Sequence, residues 1–186
     1  MRTFLSYDID DDMIRTRVAA LQQEIGSTGA DLKLVNPSIL HFTIRFLGEI
    51  DEAKRDRIIL AIEGRVKPLE TEVTFRGVGV FPSESKILVV WIGIDENTAK
   101  VLSERSREVN SLLQQVGPLR EDSHEEFNPH VTIARVRTGR NKEALLDFIK
   151  EHKNEEFGKS MIGLLRLKLS DLLPSGPKYS DIHVFK

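Results

Sequence analysis

Two short stretches of this 186-residue chain carry residue types able to move protons around a small anion. One is Leu40-His41-Phe42-Thr43-Ile44-Arg45-Phe46-Leu47-Gly48-Glu49, and the other is Asn128-Pro129-His130-Val131-Thr132-Ile133-Ala134-Arg135. Each reads His-x-Thr followed by an aliphatic residue, inside an apolar run that favours β structure. Side chains alternate between the two faces of a strand, so His41 and Thr43 should point one way, Phe42 and Ile44 the other. The same parity sets His130 and Thr132 against Val131 and Ile133. Two such strands facing each other would surround one anion with two imidazoles and two hydroxyls. An imidazole titrates near about pH 6.5, so one ring can accept a proton while the other donates one. The hydroxyls would hold charge on non-bridging oxygens. Acid-base chemistry on a phosphate ester is what these residues suit.

A lone strand histidine is more often a hydrogen-bonded core residue than a catalyst, and threonine is a common strand residue in its own right. The matched pairs carry the chemical reading. Arg45 shares the parity of His41 and Thr43 and is expected on their face, within reach of the anion. Arg135 has the opposite parity to His130. It reaches the site only if the strand bulges or ends first, and otherwise has a structural role. Neither motif holds a third Cys, His or carboxylate at ligand spacing, and His124 with Asp122 is the one weak supplement, so no metal and no cofactor are expected. His124, His152 and His183 read as structural or surface residues.

The composition, 40% hydrophobic and 30% charged, is that of a soluble globular protein. No apolar run approaches the roughly 20 residues needed to cross a bilayer. Met1-Arg2-Thr3-Phe4 leads straight into a strand-like segment without a leader pattern. With no cysteine there is no disulfide framework, thiolate nucleophile or thiolate zinc site. A cytoplasmic monomer that does not touch membranes is expected. The net charge of −2 argues against a broad positive surface that wraps nucleic acid, though not against a grip on one terminus. Arg135, Arg137, Arg140 and Lys142 form a local basic cluster, of which the last three read as a solvated strand end and loop.

The elements that must position the motifs follow from periodicity. Residues 2–8 read as a strand. Acids at Asp10 to Asp12 then open a helix to about Ile25, with Ile14, Val18, Leu21 and Ile25 on one stripe. A short strand over 32–35 turns at Asn36-Pro37 into the first motif strand, 39–47, which Gly48 should break. A helix runs from Asp51 to about Val66, a strand covers 69–76, and a Gly-Phe-Pro turn region leads to a buried strand over 86–94. The second half repeats this plan. A helix covers 96–116, a polar loop 117–126, the second motif strand 128–136 and a helix 141–152. Strands over 161–170 and 179–185 flank the Pro174-Ser175-Gly176-Pro177 turn. Strand and helix are intermixed with hairpin-length connections, which predicts an α+β fold on antiparallel sheets, spanning 1–186 as a single bilobal domain.

The two motifs and their flanks resemble the RNA 2′,3′-cyclic phosphodiesterases, also called 2′-5′ RNA ligases, of the two-histidine phosphoesterase superfamily. That likeness extends to Arg2-Thr3-Phe4-Leu5-Ser6-Tyr7-Asp8, to Gly77-Val78-Gly79-Val80-Phe81-Pro82-Ser83 and to Leu172-Leu173-Pro174-Ser175-Gly176-Pro177-Lys178-Tyr179. It implies two pseudo-symmetric lobes whose sheets face a central cleft, with helices on the outer faces. It also implies hydrolysis of a 2′,3′-cyclic phosphate to a 2′-phosphate, on RNA termini or nucleoside 2′,3′-cyclic phosphates. His41 and His130 would be catalytic, and Thr43, Thr132 and Arg135 would bind phosphate. Tyr179 matches the family and either touches substrate or packs there. The reverse reaction, 2′-5′ ligation, and a non-catalytic nucleotide- or RNA-binding module of the same fold are the alternatives.

Overall fold

The computed structural model describes residues 1–119, 127–174 and 176–186. Its elements run β1 (Arg2–Asp8), α1 (Asp12–Gly26), β2 (Leu32–Leu34), β3 (His41–Glu49), α2 (Glu52–Ile62), β4 (Thr71–Pro82) and β5 (Ile87–Ile94). There follow α3 (Glu96–Leu113), β6 (Val131–Val136), α4 (Lys142–Glu151), β7 (Glu156–Ile162), β8 (Leu165–Leu173) and β9 (Gly176–Val184). One sheet has the order β3-β1-β8-β9 and the other β2-β6-β5-β4-β7. Every pairing in both is antiparallel, so the fold is α+β. None of the described helices is long and apolar enough to cross a membrane.

Three helices begin where an aspartate can satisfy the first free amides. Asp11 accepts from the amides of Met13 and Ile14, Asp51 from Lys54 and Asp95 from Thr98. The stripe Ile14, Val18, Leu21 and Ile25 is buried as expected. On the strands, Leu5 and Tyr7 of β1, Phe42 and Ile44 of β3, and Leu165 and Leu167 of β8 are all buried. Phe42 stacks on Phe75 of the other sheet, with ring centroids 5.8 Å apart, so the cores of the two sheets are continuous.

The two halves of the chain do not fold side by side; they exchange parts. β2 and β4 come from the first half and join the second sheet, while β8 and β9 return from the C-terminus to flank β1. Helix α1 packs on β6 and β7 of the second sheet, and α3 packs on β3 of the first.

Four expectations are corrected. β4 does not stop near residue 76 but runs on to Pro82, because Gly77, at φ 78°, absorbs a register shift that a turn would otherwise have to make. The single strand read over 161–170 is two strands in different sheets, β7 and β8. Gly158 and Ser160 dilute the apolar alternation of β7, and Gly158, at φ 121°, lies 3.0 Å under Ile14 as measured from an ideal Cβ. Gly48 does not end β3; its φ of 76° accompanies a register shift and the strand continues to Glu49. Helix α2 ends at Ile62 rather than Val66. Part of the polar loop, residues 120–126, and Ser175 of the predicted turn lie outside the described residues.

Both histidine strands carry a bulge at the same place. In β3, Ser6 faces Thr43 and Leu5 faces Arg45, leaving Ile44 as the extra residue. In β6, Trp91 faces Thr132 and Val90 faces Ala134, leaving Ile133 extra. A bulge disrupts its ladder and exposes backbone groups that need other partners. For Ile133 one partner is the amide of Val35, 2.9 Å from its carbonyl, and a further partner in each strand comes from the helix contributed by the other half. Buried Gln22 of α1 donates to the carbonyl of Ile133 at 2.9 Å and to that of Val35 at 2.6 Å. Ser106 of α3 donates, at a longer 3.5 Å, to the carbonyl of Ile44. Gln22→Leu keeps the volume but removes both donors, and should lower the free energy of unfolding by about 1–3 kcal/mol. The check is a urea titration: the midpoint should fall with an unchanged slope. An unchanged midpoint would show that the β6 bulge stands without this brace.

Candidate active site

His41 opens β3, and His130 stands immediately before β6. Each ring is held by a carbonyl two residues back along its own chain. His41 Nδ1 lies 2.8 Å from the oxygen of Ile39, and His130 Nδ1 lies 2.7 Å from that of Asn128. A carbonyl can only accept, so Nδ1 carries the hydrogen in both rings. When a ring is neutral, its Nε2 is therefore a lone pair able to take a proton, and when charged a donor able to give one. The strands β3 and β6 approach each other where the two sheets meet. Burial is the leading influence on both rings and pushes both below the usual histidine range. For His41 the bond to Ile39 and the charge of Asp8 oppose that shift, while Lys168 and His130 add to it; for His130 the bond to Asn128 opposes it.

Aromatic rings fix each imidazole. Phe4 lies 5.1 Å from His41, and Tyr179 meets it edge-on at 5.3 Å. On the other sheet Phe81 meets His130 edge-on at 4.7 Å, and Trp91 lies 6.3 Å away. A Cβ on Gly79 would come within 2.2 Å of the Trp91 indole, so only glycine lets that ring lie over β4 beside His130. The glycine-rich run of β4 thus builds a wall of the site, a role that its composition disguises as a turn.

Thr43 and Thr132 sit one alternation beyond the histidines, opposite Ser6 and Trp91. Neither hydroxyl makes a hydrogen bond among the described residues. Beyond them the two bulges change which residues join the site. In β6 the extra residue brings Arg135 opposite Val89, on the Trp91 side of the sheet, so Arg135 shares the face of His130 and Thr132. In β3 simple alternation would put Arg45 beside His41. The bulge instead sets Arg45 opposite buried Leu5 and sets Phe46 opposite Phe4, on the His41 face. Phe46 and Arg135 therefore occupy corresponding positions in the two motifs.

Tyr179 packs on both Phe4 and His41. Burial raises its phenol above the usual range, opposed by Arg135, Arg2 and Lys168, so Arg135 and Tyr179 approach each other from different sheets. Beside His41 lies an ion-pair network, and among the described residues His130 has none like it. Asp8 is the cross-strand partner of His41, and its carboxylate binds Lys168, which also binds Asp181 at 3.1 Å. Arg166 bonds Asp181 and Asp10. Arg137, Arg140 and Lys142 are not brought to the histidines; with Lys86 they line a separate cavity of about 260 Å³. His152 bonds the Phe148 carbonyl and stacks on that ring, and His183 bonds Glu63, as structural residues would. His124 and Asp122 lie outside the described residues.

Known proteins share this architecture and its sequence. The AKAP7 2′5′ RNA ligase-like domain matches residues 3–180. A protein of Methanothermobacter thermautotrophicus named RNA 2′,3′-cyclic phosphodiesterase is 34% identical over 187 aligned positions, covering 100% of this chain and 98% of that one. Its namesake in Archaeoglobus fulgidus is 35% identical, with 100% of both chains covered. Among solved structures, a Thermus thermophilus protein superposes with a TM-score of 0.75 at 26% identity, over 100% of this chain and 97% of that one. Escherichia coli LigT complexed with 3′-AMP gives a TM-score of 0.77 at 20% identity, over 99% of this chain and 96% of LigT.

The buried, neutral rings generate a prediction about their titration. In the free protein both His41 and His130 should titrate below about pH 6.5, because burial disfavours the charged form. A bound anion favours that form, so inorganic phosphate should raise both. Ring-proton NMR followed against pH, with and without phosphate, measures this. Values at or above 6.5 without phosphate, or unmoved by it, would show that the two imidazoles do not share an anion site.

Proposed function

The chain belongs to the 2′-5′ RNA ligase-like family, and on that premise we propose that it hydrolyses 2′,3′-cyclic phosphates at RNA ends to 2′-phosphates. The observation that carries this reading is the pair of imidazoles with both Nδ1 atoms bound to carbonyls and neither Nε2 atom hydrogen-bonded among the described residues, on strands that meet between the sheets. Such a pair suits in-line displacement at phosphorus. His130 Nε2 takes a proton from water as the new P–O bond forms. His41 Nε2–H gives its proton to the departing ribose 3′-oxygen as the P–O3′ bond breaks. The hydroxyls of Thr43 and Thr132 and the guanidinium of Arg135 hold the charge on the non-bridging oxygens. Placing the acid at His41 is supported by Asp8, the carboxylate across the strand from it, where no charged group among the described residues shifts His130. Ligation would use the same groups: a 5′-hydroxyl in place of water attacks the 2′,3′-cyclic phosphate, His130 takes its proton, and His41 protonates the departing O3′ to leave a 2′-5′ diester and a free 3′-hydroxyl.

The test is turnover of a nucleoside 2′,3′-cyclic phosphate, with identification of the 2′-monophosphate product. His41→Ala and His130→Ala should each slow it by roughly 10²–10⁴-fold. The profile of kcat/KM, which reports the free enzyme, should be a bell. A depressed pKa means that each ring loses its proton at a lower pH, so both limbs lie lower than for ordinary histidines. His130→Ala should flatten mainly the acid limb of the residual rate, and His41→Ala mainly the alkaline limb. The reverse pattern would exchange the two roles, and a profile flat from about pH 5 to 9 would remove the proton relay.

Because the two rings supply both proton transfers, activity should also survive exhaustive chelation. Loss on chelation, restored by one divalent ion, would assign the histidines to a metal instead.

A further inference from the structure

Arg15, Arg166 and Lys168 each stand between two or more carboxylates. The cavity at the far end of β6 is built the opposite way. Lys86, Arg137, Arg140 and Lys142 line it, and no carboxylate among the described residues does. Arg137 meets Asp31 only at 3.9 Å, and Lys142 donates to the neutral carbonyl of Ser85 at 2.6 Å. Four like charges around one hollow repel one another until an anion enters it. The net charge of the chain is −2, so an excess of cations here does not follow from composition.

Strand β6 links this cavity to the histidines. His130 stands just before it and Val136 ends it, so six residues at about 3.3 Å each set the cavity about 20 Å from the imidazole. Cations mark the interval. Arg135 faces Lys33 across the β2–β6 ladder, so the two share a face of the sheet. The Arg137 amide donates to the Asp31 carbonyl at 2.9 Å, which carries the ladder one step further and sets Arg137 at the next alternation after Arg135. A positive track therefore starts at the arginine that the β6 bulge turns toward His130 and ends at the cavity.

We infer that this cavity anchors the RNA backbone, holding a phosphodiester several nucleotides upstream of the cyclic end that lies between His41 and His130. The inference rests on the reaction proposed above. A 2′,3′-cyclic phosphate closes the 3′ end of its chain, so all remaining RNA leaves the site on the 5′ side of the terminal nucleotide. Its phosphates recur along the chain, and spaced cations match them without reading bases. Guanidinium groups such as those of Arg137 and Arg140 can clasp a phosphate through two parallel N–H bonds. Size points the same way. At about 260 Å³ the cavity lies below the roughly 300–1,000 Å³ of sites that enclose a whole small ligand, and it suits a phosphate with its adjoining ribose.

The experiment uses Lys86→Gln combined with Arg140→Gln, which removes two charges and leaves the proposed catalytic groups untouched. Three substrates are compared: adenosine 2′,3′-cyclic phosphate, an adenylate dinucleotide with a cyclic end, and an oligoadenylate of about ten nucleotides with the same end. The first two are too short to span about 20 Å, and kcat/KM on them should stay at the wild-type value. On the oligomer it should fall roughly 5- to 50-fold at about 50 mM salt, because each phosphate contact on a single strand contributes about 0.7 to the logarithmic salt slope. That slope should drop by about 1.4 for the two charges removed. An undiminished rate on the oligomer, or an equal loss on all three substrates, overturns the inference, the latter by showing that the cations only support the fold. If the wild-type protein turns over none of the three, the reaction reading fails on its own, and fluorescence anisotropy of a 5′-labelled oligoadenylate decides the anchor. Weaker binding by the double variant than by wild type then supports it, and equal binding overturns it.

Discussion

One carbonyl in each histidine strand governs what the site can be. A bulged residue leaves backbone groups that its own ladder no longer serves, and such groups are costly to bury alone. Here the Ile133 carbonyl accepts from the Val35 amide and from Gln22, and that of Ile44 from Ser106, each side chain standing on a helix that the opposite half of the chain contributes. The bulges reverse side-chain parity beyond the threonines, bringing Arg135 and Phe46 onto the histidine faces. Exchange of α1 and α3 between the sheets is thus more than a packing solution. It couples the geometry of each motif to the folding of the other half, so neither half is expected to hold its own site alone.

The electrostatic design follows from burial. Both imidazoles are partly removed from water and held in one tautomer by a backbone carbonyl, so both are biased toward neutrality before an anion arrives. The charges close to His41 are arranged so that they largely offset one another. Asp8 and Asp181 accept from Lys168, and Arg166 bonds Asp181 and Asp10. A carboxylate left unpaired at Asp8 would pull more strongly on His41, while Lys168 alone would hold it neutral. Among the described residues only the first sheet has this network. Asp8 faces His41 across the first sheet, whereas the β5–β6 ladder ends at Ile92 and Val131, one residue short of His130.

Aromatic packing does comparable work on orientation. Tyr179 and Phe4 confine the His41 ring, and Phe81 and Trp91 confine His130. Each ring has two restraints, a carbonyl on Nδ1 and an aromatic wall, which leaves the Nε2 edge as the variable part. Gly79 is the least visible contributor. Its value lies in the missing Cβ, without which the indole beside His130 would have to move.

Much of this was legible from residue order. Two His-x-Thr stretches in apolar runs located both imidazoles and both hydroxyls, because parity over three residues is too short to be disturbed. Aspartates before apolar stripes located the starts of α1 and α2, because capping is a local interaction. What lay further along each strand could not be read this way. The bulges at Ile44 and Ile133 have no signature in the residues themselves, since any aliphatic residue can be the extra one. Their carbonyls are satisfied by groups far away in sequence, Ser106 for Ile44, and Gln22 with the Val35 amide for Ile133. For the same reason Arg45 was expected where Phe46 stands, and the face of Arg135 was open. Gly77 and Gly79 resembled a turn because glycine's freedom is visible in a sequence, while the ring that requires one of them is not. Residue types and short-range alternation determined the chemistry this chain carries. Long-range hydrogen bonds and close ring packing decided which side chains share the cleft with it, because those contacts join segments that only the folded chain brings together.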